Sequence, residues 1–195
     1  MRAGFVTRKP FLSTAWLWPL LLVSASLFFS LGIACAVPLA AFAALGALTL
    51  PPRAAYGLIG AVWLTNQIVG YLFLSYPLDF STLAWGFALA AAGLCAAFAA
   101  LEVRSRLSTA GILGTGAVFL SAFAAYEGLL FALTLAFEDD LSTYEPAVVG
   151  RVLAINATAF AIFLLLHRFA SALGTGTESG GEITLCRAQQ RPFSI

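Results

Sequence analysis

Charged side chains are scarce in this sequence. Asp, Glu, Lys and Arg together make up 10% of its 195 residues, against about 25% in a typical soluble domain. Too little polar surface is left to cover a water-exposed fold, so lipid must be the solvent. Histidine occurs once, at His167, next to Arg168 and with no second histidine to complete a metal site. The three cysteines match no metal or disulfide framework. Cys35 and Cys95 lie in apolar segments and Cys186 near the C-terminus. No His/Asp/Glu cluster and no Ser-His-Asp set is present. The run Gly111, Gly114, Gly116 sits in an apolar segment with no strand before it, so it is not a phosphate loop. These absences argue against an enzyme, so no catalytic residue, metal or cofactor is expected. One acid and one base within the spans do not line an ion channel, and a net charge of +1 gives no reason to expect nucleic acid.

Apolar residues are abundant instead. They make up 61% of the chain, and the mean hydropathy is +0.95. One helical span needs roughly 20 apolar residues, so the chain has room for five to seven spans and no soluble catalytic domain. Six apolar segments can be marked, at about 12–30, 33–50, 54–74, 83–103, 110–137 and 148–169. Pro51-Pro52 stops the second and Ser75-Tyr76-Pro77 ends the third. A Gly/Ser/Thr-rich stretch over 171–195 reads as a flexible tail. Residues 1–36 resemble a signal peptide, with Arg2, Arg8 and Lys9, an apolar run, and Ala34-Cys35-Ala36. That run exceeds the usual signal core of about 7–15 residues, which favours a retained first span.

Basic residues set the orientation. Arg2, Arg8 and Lys9 precede the first segment, Arg53 follows the second, Arg104 and Arg106 follow the fourth, and Arg168 ends the sixth. With six spans all of these fall on one side. That side is then cytoplasmic and holds both termini. Asp79, Glu138-Asp139-Asp140 and Glu145 fall on the other. With five spans Arg53 would lie opposite Arg8 and Lys9. The sequence therefore predicts an all-α integral membrane bundle of six transmembrane helices.

Polar side chains within spans usually face a bundle interior or a cavity. The candidate binding residues are Asn66, Gln67 and Tyr71 of the third segment, Trp85 of the fourth, Tyr126 and Glu127 of the fifth, and Arg151 and Asn156 of the sixth. They concentrate in the middle and outer half, as a pocket open to the outside would require. Glu127 and Arg151 could instead pair to hold two helices together. Asn66 and Gln67 could be interhelical hydrogen-bond glue. Adjacent residues point about 100° apart on a helix, so only one of the two amides is expected to aim at a pocket centre.

Small residues at four-residue spacing let helices approach closely. They include Ala36, Ala40 and Ala44, Ala43 and Ala47, Ala88 and Ala92, and Gly57 and Ala61. These faces either hold the bundle together or dock a partner. Of these faces, that of the short alanine-rich second segment is the candidate docking surface.

In size, span count, the tight first hairpin with Pro38-Leu39-Ala40-Ala41, and the stretch from Ala61-Val62-Trp63-Leu64-Thr65-Asn66-Gln67 through Tyr76-Pro77 to Trp85-Gly86, the chain resembles the substrate-binding (S) components of energy-coupling factor transporters. The resemblance covers roughly residues 12–170. It implies a membrane-embedded receptor for a vitamin-like solute or metal ion, partnered by a transmembrane coupling subunit and an ATPase pair, in a bacterial inner membrane. One departure is that the first segment is bulky (Trp16, Trp18, Phe28, Phe29), where that family docks its coupling subunit through small residues. The rival reading is a non-transporting accessory subunit, for which Glu127 and Arg151 should bond each other and no cavity should exist.

Overall fold

The computed structural model describes residues 14–32, 37–109, 111–137 and 144–188, with side chains for 17–29, 37–109, 111–137 and 144–171. Six helices form among them: α1 Thr14–Gly32, α2 Leu39–Thr49, α3 Pro52–Leu72, α4 Phe80–Arg106, α5 Ile112–Phe137 and α6 Pro146–Ala188. The N-terminal basic residues, Ala34-Cys35-Ala36 and Glu138-Asp139-Asp140 lie outside the described residues. So does the C-terminal end from 189, and of 172–188 only the helical backbone is described.

Among the described residues three helical stretches are long and apolar enough to cross a membrane: Phe80–Arg106, Ile112–Phe137 and Pro146–Ser171. Two shorter apolar stretches, Leu17–Phe29 of α1 and Leu39–Thr49 of α2, accompany them. The chain is thus an all-α, multi-pass membrane protein. α3 has the length of a span, at 21 residues, but Thr65-Asn66-Gln67 make it less apolar than the other three.

The second segment departs most from its sequence reading. Pro38 has no N–H to donate and ends at its own position any helix coming from the C-terminal side. The helix that starts after it, α2, is 11 residues long, or about 16 Å at 1.5 Å per residue, roughly half the hydrocarbon thickness of a bilayer. Every residue from Leu39 to Ala47 is buried, and α2 packs against α3, α4, α5 and α6. Its alanines are therefore no docking surface. Ala40, Ala43, Ala44 and Ala47 are the bundle's centre, and small side chains there let four helices close around one. α4 answers with Ala92, Gly93, Ala96, Ala97 and Ala100, also buried.

The two ends of the bundle differ. At one end the Trp18 indole donates to the Thr49 hydroxyl at 3.0 Å and meets the His167 ring edge-on at 4.7 Å. Arg104, in the last turn of α4, donates to the carbonyls of Ala47 and Leu50. A cation on the last carbonyls of α2 satisfies orphan acceptors and matches the negative end of the helix dipole. Arg53, Arg106 and Arg168 lie at this same basic end by chain order. Asp79 and Glu145 lie at the opposite end, at the starts of α4 and α6. Asp79 caps α4 by accepting the Thr82 N–H at 2.7 Å. That bond to the Thr82 backbone holds its carboxyl below the ordinary carboxylate range.

Candidate functional site

α2 ends at the basic end, so it fills only that half of the bundle. Among the described residues no helix takes the centre of the opposite half. Two cavities walled by described residues lie in that half, of about 350 Å³ and about 200 Å³. They share Val37, Leu89 and Tyr126 as walls. Val37 and Leu39, flanking Pro38 at the start of α2, close the larger one on the side of the basic end.

The larger cavity is lined by Asn66 and Gln67 of α3, by Tyr76, and by Ser81, Thr82, Trp85 and Gly86 of α4. Both amides reach it, contrary to the expectation of one. The 100° between them is spanned because the cavity wraps around α3 towards α4. Gly86 leaves room for this: a Cβ there would collide with the Gln67 amide, and its carbonyl accepts the Trp63 indole N–H at 2.7 Å. The turn after α3 supplies Tyr76. Ser75 adopts a left-handed conformation, φ 55°, and the Tyr76 N–H returns to the Gly70 carbonyl at 3.1 Å. This lays the Tyr76 ring over Gly70, where a Cβ would lie 2.5 Å from the ring. Tyr71 packs edge-on against Tyr76 at 6.1 Å. It supports a cavity wall and is outside the lining of either cavity.

The smaller cavity is lined by Tyr126 and Glu127 of α5, by Tyr144, and by Val148, Val149, Val152 and Asn156 of α6. Glu127 lies 15 residues into α5, about 22 Å from the basic end. Asn156 is buried and its side-chain oxygen accepts the Ala41 N–H at 3.1 Å. Pro38 gives α2 no side-chain cap of its own, so Asn156 caps it from another helix. Its amide nitrogen donates to Val152 O at 3.0 Å.

Arg151 does not join this group. It is exposed and lines neither cavity, because its position on α6 faces away from the bundle. Among the described residues the one ion pair is Arg106–Glu102, so the alternative of a Glu127–Arg151 pair is not realised. Glu127 has no hydrogen bond or ion pair among the described residues. Of the eight candidate residues, the structure brings Asn66, Gln67, Trp85, Tyr126, Glu127 and Asn156 to the cavities and leaves Tyr71 and Arg151 outside them. Sequence reasoning missed Tyr76, Tyr144 and Gly86. For Tyr76 the signal was present: a turn tyrosine six residues after a glycine with no other role.

No group of three or more His, Cys, Asp or Glu that could hold a metal ion occurs among the described residues. No family model, curated protein or solved structure matches the chain.

Proposed function

We propose that this protein is the membrane-embedded solute-binding subunit of a multi-subunit uptake transporter. In this reading all six helices belong to the membrane domain and both termini are cytoplasmic. The basic end then faces the cytoplasm, as the positive-inside rule requires, and the two cavities lie in the outward half. The observation that carries the reading is this pair of mainly apolar cavities with a few polar side chains in their walls, closed towards the cytoplasmic side by the half-length α2. Broken helices that begin near mid-membrane beside a binding site are a recurring device in transporters. A combined volume near that of a drug-sized ligand pocket suits a vitamin-like small molecule.

The chain offers no nucleotide-binding loop, so energy for uptake has to come from partners. Its resemblance to the S components of energy-coupling factor transporters supplies the kind: a transmembrane coupling subunit and an ATPase pair, in a bacterial inner membrane. The buried α2 cannot dock them, which leaves the outer faces of the longer helices. The accessory-subunit alternative calls for a closed core and a Glu127–Arg151 bond. Neither feature is present among the described residues.

The test is retention of solute. The purified full chain is incubated with an aqueous metabolite extract, washed, and its bound small molecules identified by mass spectrometry. Wild type retains one solute class, and Leu89→Trp, which fills the wall common to both cavities, loses it. Retention of nothing by wild type, or equal retention by both proteins, contradicts the reading.

A further inference from the structure

The two cavities have a charge sign. Among the described residues their walls contain one carboxylate, Glu127, and no Lys, Arg or His. Glu127 is half-buried and about 15 Å from the end of α5 opposite the basic end, counting ten residues to Phe137. An ionised carboxylate at that depth is costly unless something of opposite charge meets it. Among the described residues nothing does. Glu127 has no ion pair or hydrogen bond among the described residues, and Arg151 is exposed and off the cavity walls.

Its neighbours in the smaller cavity are aromatic. Tyr126 and Tyr144 line the space with Glu127. Tyr126 is 93% buried, lines both cavities, and has no hydrogen-bond partner among the described residues. Its position leaves it available to whatever enters. A carboxylate beside tyrosine rings attracts a desolvated cation by both ion pairing and the ring quadrupole. Anion capture by the start of α2 is poorly served, because two of its first N–H donors are taken. Pro38 has no N–H, Leu39 N–H bonds to Val37 O at 2.7 Å, and Ala41 N–H bonds to Asn156.

We propose that the solute is a small organic cation, whose amine or quaternary ammonium head enters the smaller cavity against Glu127 between Tyr126 and Tyr144. Its uncharged remainder lies in the larger cavity, against Trp85, Tyr76 and the amides of Asn66 and Gln67. This rests on the solute-receptor reading and adds the charge class.

The test measures thermal unfolding of the full chain in lipid nanodiscs with four probes of similar size: benzyltrimethylammonium, phenethylammonium, 2-phenylethanol and phenylacetate. The two cations raise the midpoint and the neutral and anionic probes do not. Glu127→Gln weakens the cations' apparent affinity by about tenfold or more, as expected for loss of a half-buried counter-charge. Leu89→Trp removes the response altogether. Suppose the neutral or anionic probe stabilises the protein, Leu89→Trp removes that effect and Glu127→Gln leaves it intact. The cation assignment then falls while the receptor reading stands. A cation response unchanged by Glu127→Gln also overturns the assignment, as does the absence of any response. In that last case, solute retention from the extract decides whether the receptor reading falls too.

Discussion

Asn156 shows how much a single amide can do in lipid. Its oxygen caps the first turn of a helix 115 residues away in sequence, and its nitrogen returns to its own helix. Replacing it by Leu leaves the buried Ala41 N–H without an acceptor, which costs about 1–3 kcal/mol. Asn156→Asp keeps an acceptor at the same place. Denaturant unfolding in detergent micelles should therefore show Asn156→Leu clearly destabilised and Asn156→Asp less so. Equal midpoints for Leu and wild type would mean that the contact does not hold α2. At this scale the sequence was informative where cost was visible. Asn66, Gln67, Glu127 and Asn156 stood out because lipid penalises them. Arg151 stood out for the same reason, yet depth alone could not tell an inward side chain from one that reaches past the bundle surface. Gly86 was invisible, since its role is the space it leaves for Gln67.

α2 is the element on which the arrangement turns. Its sequence is apolar all round, a pattern that belongs to a fully surrounded helix. Pro38 cuts it to a length more typical of a buried or re-entrant helix than of a span. Both signals were legible, but the alanine spacing was equally compatible with an external partner. Helix-facing and lipid-facing surfaces look alike when both neighbours are apolar. The structure assigns its two ends to two caps, Asn156 at the start and Arg104 at the finish. Arg104 is half-buried and serves two carbonyls, whereas Arg106 pairs with Glu102 on an exposed face of the same helix. Arg104→Leu should destabilise the bundle by about 1–3 kcal/mol. Arg106→Ala, which breaks an exposed i,i+4 pair, should cost no more than about 0.5 kcal/mol. The two variants, unfolded side by side, separate a structural cation from a topological one. Similar losses for both would remove the capping role assigned to Arg104.

For the whole molecule, composition alone required lipid as the solvent, and proline and turn residues marked most of the boundaries. Span count from hydropathy was less secure for α1, α2 and α3. α2 is too short to cross, and α3 is made more polar by the residues that wall the larger cavity. The central claim is that the half of the bundle left unfilled by α2 is hollow and opens away from the basic end. Cysteine labelling in sealed membranes tests it most directly. In a background with Cys35, Cys95 and Cys186 replaced by Ser, Gln67→Cys and Ala44→Cys are each exposed to a membrane-impermeant methanethiosulfonate, from the outer face and then from the cytoplasmic face. The account predicts that Gln67→Cys is modified from the outer face only and that Ala44→Cys is modified from neither. Modification of Gln67→Cys from the cytoplasmic face, or its protection from both, would contradict it.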